Sequence, residues 1–234
     1  MSIAANIALI QERISAAASR AGRDPGDIAL MAVSKTQSPV RIREAYDAGQ
    51  RLFGENRVQE FAGKVEALGE LHVAEWHMIG HLQSNKAART AELFRAVDSV
   101  DSLKLAEKLD AAARNLGRKL EVLVEINVGG EAAKSGVAPD APMLEKVLRA
   151  APSLDALVFR GLMTVPPFTE NPDGARPYFR KLRELRDTIA ARKLPAVDMD
   201  QLSMGMSHDF EVAIEEGSTC VRVGTAIFGE RKAT

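Results

Sequence analysis

The chain has one cysteine, Cys220, in 234 residues. That excludes an internal disulfide framework and any multi-cysteine metal site. Neither sign of charge dominates: 31 Lys+Arg face 32 Asp+Glu, a net charge of −1. The balance argues against a nucleic-acid-binding surface. No apolar run approaches the ~20 residues that a membrane-spanning helix needs. Gln11, Glu12 and Arg13 cut the first apolar stretch short, and with no basic start or cleavage site the N-terminus does not read as a signal peptide. No residue pattern recurs at a fixed period, and no Gly/Ser/Pro-rich linker divides the chain. What is present, 46% hydrophobic and 27% charged residues, suits a folded globular protein and not a disordered one. The expectation is a cytoplasmic protein with residues 1–234 forming one domain.

Short apolar, β-branched runs alternate with longer segments of helical spacing. The first helix is expected over residues 2–21, with Ile3, Ile7, Ile10 and Ile14 on one stripe and Gly22 as its stop. Strands are expected at Ala29–Val33, 51–53, 75–79, Ala96–Val100, 121–128, Leu157–Met163, weakly near 200–203, and at Cys220–Val223. Between them, Leu105, Leu109, Ala112 and Leu116 share one helical face, ended by Gly117. Phe179, Leu182, Leu185 and Ile189 share another, with Pro177 near its start and Pro195 after its end. Strand–helix alternation implies a parallel sheet, because parallel strands need crossovers. A closed barrel and an open doubly wound sheet both fit; eight strand–helix steps favour the α/β class (β/α)8 TIM barrel. Residues 165–174 (VPPFTENPDG) form the one long loop, a surface or lid segment.

Two phosphate motifs are excluded. In residues 128–136 (VGGEAAKSG), Val128 and Ala133 stand where the P-loop spacing needs glycine, and no G-x-G-x-x-G follows a strand. His77 and His81 are four apart but straddle Ile79-Gly80 at a strand end, where they share no helical face, so no metal site is expected. Packing or hydrogen bonding explains them more simply, with a ligand contact by His77 as the alternative. Cys220 has no activating base nearby and reads as a small hydrophobe. Lys35 ends the run ALMAVSK, which puts it at the C-terminal mouth of the first strand. Burial there lowers an amine pKa and suits Schiff-base chemistry; a snorkelling surface lysine is the plainer alternative. Residues 201–207 (QLSMGMS) read as a small-residue turn, followed by a helix over 208–216 with Asp209 in its first turn. Arg222-Val223-Gly224-Thr225 then closes the eighth strand. Small-residue turns after strands seven and eight are where barrels build phosphate sites. A lysine facing such a cradle matches the needs of pyridoxal 5′-phosphate (PLP).

Several strings occur together in order: AVSKT (32–36), FGENRVQE (53–60), WHMIGHLQSNK (76–86), GLM (161–163), LSMGMS (202–207) and VRVGTAIFGER (221–231). In these the chain resembles the pyridoxal-phosphate homeostasis proteins (YggS/PROSC-like), from about residue 5 to residue 231. The resemblance implies a barrel like the N-terminal domain of alanine racemase, holding PLP as an internal aldimine on Lys35. It implies that Ser203, Ser207, Gly224 and Thr225 cradle the phosphate, and that Asn56 lies near the cofactor ring. Arg222 is matched to the arginine against the pyridine nitrogen, with His77 and Met204 as further lining residues. A guanidinium donates and cannot accept a proton, so it favours an unprotonated ring nitrogen, a poorer electron sink.

Two functions remain open in the sequence: a carrier that buffers PLP in vitamin B6 and amino/keto-acid homeostasis, or a PLP enzyme such as a racemase. Racemisation needs a second base opposite the lysine. In the resembling racemases that base is a tyrosine that arrives from a second, β-rich domain and from the partner subunit, and a chain of 234 residues forming one barrel is expected to lack such a domain. The two tyrosines, Tyr46 and Tyr178, fall in helices, and TQSP follows Lys35. The expectation is therefore a monomeric carrier without turnover, its partners being PLP and PLP-dependent client enzymes. A weaker third reading is an aldolase-like lysine acting on sugar phosphates, which leaves Arg222 unexplained.

Overall fold

The computed structural model describes residues 2–131 and 135–230. Residues 132–134 of the excluded P-loop-like segment, and Arg231 at the end of the last shared string, lie outside the described residues. Helix α1 (Ile3–Arg20) starts at Ser2, whose Oγ accepts from the Ala5 N–H at 3.2 Å. Its expected isoleucine stripe is buried, with Ala17 and Ala18 extending it.

Eight strands follow: β1 (Ala29–Val33), β2 (Leu52–Glu55), β3 (Glu75–Met78), β4 (Ala96–Val100), β5 (Leu120–Glu125), β6 (Leu157–Met163), β7 (Val197–Met206) and β8 (Cys220–Val223). Each pairs in parallel with the next, and β8 closes on β1 from Ala29↔Cys220 to Ala32↔Val223. Of the two architectures open in the sequence, the closed barrel is the one formed. Helices α2 (Pro39–Asp47), α3 (Val58–Ala62), α4 (Ala87–Leu93), α5 (Leu103–Asn115), α6 (Pro142–Ala150), α7 (Arg176–Ala191), α8 (Phe210–Glu215) and α9 (Thr225–Phe228) surround it.

Alternation along the strands separates two layers. Ala32, Phe53, Met78, Val97, Val122, Leu202, Met204 and Val221 face the helices in the main apolar core. Phe53 and Phe61 stack on Trp76 at 4.9 and 4.6 Å, and Phe94 packs on Phe61 at 4.9 Å, tying α3 and α4 to β2 and β3. Each fully buried phenylalanine contributes roughly 1.5–3 kcal/mol. The inward face is different: His77, Asp98, Ser203 and Arg222 lie there beside Met31, Gly54 and Leu123. This barrel has a polar interior.

That polarity explains the largest departure from expectation. Residues 201–207 are not a turn; up to Met206 they belong to one long strand, β7. Gln201 and Ser203 are polar because they face the interior, and with Gly205 they mimic turn composition. Gly205 has φ +93°, and a Cβ there would meet the Ala213 Cβ at 2.6 Å and the Phe210 Cα at 2.9 Å. Glycine at this position lets α8 approach the strand. Helix α8 begins at Phe210, two residues later than expected, and Asp209 sits at its cap rather than within it. Strand β5 ends at Glu125, short of the expected Val128, and Leu116 is 46% exposed at the end of α5.

Helix α1 braces α8 and α9. Arg13 and Arg20 pair with Glu211 and Glu215 of α8 at 3.1 and 2.9 Å, and the Asn6 amide donates to the Ile227 carbonyl of α9 at 2.8 Å. Among the described residues, no helix is long and apolar enough to cross a membrane.

Candidate functional site

The C-terminal ends of the strands open into a cleft of about 360 Å³. Val33, Ile79, Val165 and Met206 give it apolar walls; Lys35, Asn56, Ser207, His208, Arg222, Gly224 and Thr225 give it polar ones. Lys35 follows β1 by two residues and is half-buried. Asn56 follows β2, and Gly80 lies against its backbone: a Cβ on Gly80 would sit 2.3 Å from the Asn56 carbonyl oxygen.

At the ends of β7 and β8, the Ser207 Oγ accepts from the N–H groups of Gly224 at 3.2 Å and Ala226 at 3.4 Å. Two backbone donors thus converge on one oxygen beside the start of α9. Such convergence suits an anionic oxygen, because the donors are fixed before the ligand arrives.

Arg222 is 4% exposed. It donates from Nη1 to the Ser203 Oγ and from Nη2 to the Thr164 carbonyl, each at 2.7 Å. Burial pushes its pKa down, opposed by Asp98, Glu125 and Asp209. Burial also pushes the Glu125 and Asp209 carboxyls up, and Arg222 opposes both shifts. The guanidinium is a fixed donor, oriented from beneath by Ser203.

The whole of this geometry sits on a known domain type. Residues 3–232 match the family model "Alanine racemase, N-terminal domain". The chain is 47% identical over 232 residues to the pyridoxal phosphate homeostasis protein of Aquifex aeolicus, covering 99% of this chain and 100% of that one. It belongs to the pyridoxal phosphate homeostasis protein family. Among solved structures it resembles the PipY protein of Synechococcus elongatus with PLP bound (39% identity, TM-score 0.81, 94% of this chain and 100% of that one). An alanine racemase of Clostridium difficile shares the fold at 16% identity and TM-score 0.70, with 97% of this chain covering 57% of that one.

Six residues singled out in the sequence as the family's cofactor set line one cleft here: Lys35, Asn56, Ser207, Arg222, Gly224 and Thr225. Three do not. Ser203 lies behind the wall and holds Arg222. Met204 shares the parity of Leu202 and packs outward in the helix-facing core, away from the cleft; after the bend at Gly205, Met206 takes the lining position. His77 faces inward but one layer too low. It lines a separate cavity of about 550 Å³ at the opposite end of the barrel, with Ala29, Leu52, Asp98 and Cys220, and Ile79 is the β3-end residue that reaches the cleft.

The His77 Nδ1 meets the Asp98 carboxylate at 3.0 Å. Burial alone would lower its pKa, but Asp98, with Glu75 and Glu121 beside it, raises it above the ordinary value. His81 has its own partner, Asp101, at 3.2 Å, so the two histidines do not act as a pair. Burial pushes the Cys220 thiol up to about 12, leaving it protonated at neutral pH.

His208 was not anticipated. It lines the cleft, and its Nε2 lies 3.1 Å from the carbonyl oxygens of both Thr169 and Glu170. Two carbonyl acceptors require that nitrogen to carry the proton. The ring also packs against Phe168 at 5.3 Å, which is 77% exposed on the 165–174 loop. Its only sequence signal was its place directly after LSMGMS.

Proposed function

We propose that the protein binds PLP in this cleft and carries it without turning over an amino-acid substrate. One observation carries the reading: an amine, a fixed guanidinium and converging backbone donors share one cleft of about 360 Å³. The donor set fits the group. Ser207 with the N–H groups around Gly224 suits a phosphate, Lys35 suits an aldehyde, and Arg222 suits a neutral ring nitrogen. Asn56 would flank the ring. PLP bound in the PipY structure, and relatives known as pyridoxal phosphate homeostasis proteins, support the assignment.

When bound, PLP supplies an aldehyde and an electron-accepting ring. Lys35 would supply the amine for that aldehyde, with water as the leaving group. Arg222 would offer the ring nitrogen a donor that cannot return a proton, which would weaken the electron withdrawal that carbanion chemistry uses. Neither tyrosine lines the cleft. The Tyr46 ring lies 4.1 Å from the Arg51 guanidinium at the start of β2, and Tyr178 packs from α7 onto the core. An opposing base would therefore fall to His208, the remaining titratable side chain of the cleft wall. Its presence there favours a second reading, a PLP enzyme, and its hydrogen bonds to the loop carbonyls weigh against that reading.

The test is reconstitution with PLP followed by borohydride reduction and peptide mapping, alongside racemase, decarboxylase and transaminase assays. The carrier reading expects a reduced adduct on Lys35, its loss in Lys35→Ala, and no turnover above free PLP. Turnover abolished by His208→Ala would establish the enzyme instead.

A further inference from the structure

The peptide units on both sides of Lys35 are held by side chains that do not line the cleft. Ser34 is fully buried. Its N–H donates to the Gly54 carbonyl at 2.9 Å, its Oγ donates to Glu55 Oε1 at 2.8 Å, and its carbonyl accepts from Lys64 Nζ at 3.2 Å. On the other side, Thr36 has φ +64°, a left-handed conformation that is unfavourable for a β-branched residue. Its N–H donates to the Glu60 carboxylate at 2.5 Å. Such a charge-assisted bond is strong enough to hold a residue there.

The two grips are joined. Lys64 Nζ lies 2.6 Å from Glu60 Oε1 and 3.1 Å from Glu55 Oε1. Lys64 is 8% exposed and Glu55 fully buried. Burial pushes the Glu55 carboxyl up, against Lys64 and Ser34. Burial would raise Glu60 as well, but Lys64, the Thr36 N–H and nearby Arg57 bring it below its usual value. A buried ion pair is weak support for stability, because desolvation offsets its attraction. This one grips the backbone around a reactive amine.

We infer that Glu60 and Lys64, anchored on Glu55, are positioning residues for Lys35: they clamp residues 34–36 so that the amine is presented to the cleft in one direction and beside a fixed set of charges. The inference deepens the PLP reading above and rests on it for the role of Lys35. Loosening the clamp slows condensation through lost orientation, and it changes the charges that Glu55, Glu60, Lys64 and Arg57 present to the amine.

The test uses the full chain in three variants: Glu60→Ala, Glu60→Gln, and the double variant Glu55→Gln/Lys64→Met, which removes the buried charges together. Two quantities are read, with melting curves to confirm folding. The first, without PLP, is amide hydrogen exchange at Thr36. The second is the rate and pH midpoint of borohydride-trappable PLP attachment to Lys35. In Glu60→Ala and the double variant, Thr36 exchanges about tenfold faster or more. In both, attachment slows by about tenfold or more and its pH midpoint moves. Glu60→Gln, whose amide oxygen still accepts the Thr36 N–H, stays within about threefold of wild type in exchange and attachment rate, while loss of its charge still moves the pH midpoint. A folded Glu60→Ala protein with wild-type exchange and attachment rate overturns the clamp, as does a Glu60→Gln protein as fast in exchange and as slow in attachment as Glu60→Ala. If the wild-type chain gives no adduct on Lys35 while Thr36 exchange follows the expected order, the clamp stands and the PLP reading fails.

Discussion

Replacing Arg222 with methionine separates its structural role from its role towards a ligand. The guanidinium makes two 2.7 Å hydrogen bonds in the barrel interior, and Glu125 and Asp209 feel its charge. Its loss leaves the buried Thr164 carbonyl without that donor, a cost of about 1–3 kcal/mol. Ser203 loses less, since its hydroxyl can rotate to donate elsewhere. The carboxyls lose the charge that opposed their burial, and removing one partner from a buried charged set costs about 3–5 kcal/mol. The desolvation recovered by deleting a buried cation offsets part of this, so a net loss of about 3 kcal/mol is expected at neutral pH. For a chain of this size that corresponds to roughly 6–12 °C in Tm.

The loss should depend on pH, and its sign follows from the two carboxyls. Burial already raises both above their ordinary values, and without Arg222 both rise further. The folded state then holds protons that the unfolded state has released, so stability falls as pH rises from about 4 towards the raised values. Urea denaturation of wild type and Arg222→Met at pH 5.5 and 7.5 should show a larger gap at pH 7.5. A gap equal at both pH values, or below about 0.5 kcal/mol, would refute this account of the interior.

The His77–Asp98 pair gives a change of opposite sign. His77 is raised by Asp98, so the pair's contribution is complete below the ordinary histidine value and is lost as pH rises through the raised one; Asp98→Asn should lower Tm more at pH 6 than at pH 9, and a uniform deficit would contradict it. Gly205→Ala forces a methyl group to 2.6 Å from Ala213 at φ +93°, and should cost about 2–4 kcal/mol in urea denaturation; a neutral result would mean that α8 does not lie against β7 as described. Ser207→Ala removes the oxygen on which the Gly224 and Ala226 donors converge, and should weaken PLP binding about tenfold, near 1.4 kcal/mol, with Tm little changed. Binding unchanged by fluorescence titration would move the phosphate elsewhere.

The barrel was legible because its outward face obeys ordinary patterning. The isoleucine stripe of α1 and the strand at Ala29–Val33 stand out as apolar periodicity, and both form as expected. Strand β7 was obscured for the converse reason: Gln201 and Ser203 face a polar interior, Gly205 makes room for α8, and locally such residues resemble a turn. Periodicity also assigns a face without a layer. It set His77 inward but could not show that Ile79, two residues on, is the one at the cleft. Met204 shows the limit of reading a motif as a unit, since neighbours in LSMGMS point to opposite sides of the sheet. The clamp around Lys35 had one local signal, the i,i+4 spacing of Glu60 and Lys64, which says nothing of Lys35. Ser34, Glu55, Glu60 and Lys64 meet only once β1 and β2 are paired and α3 has turned back on them.

The central claim is that Lys35 is the amine presented to PLP. Reducing the PLP-loaded protein with borohydride and mapping the modified peptide by mass spectrometry tests it most directly. The account predicts one reduced adduct, on Lys35, absent from Lys35→Ala. An adduct on Lys64 or any other lysine, with Lys35 unmodified, would contradict it.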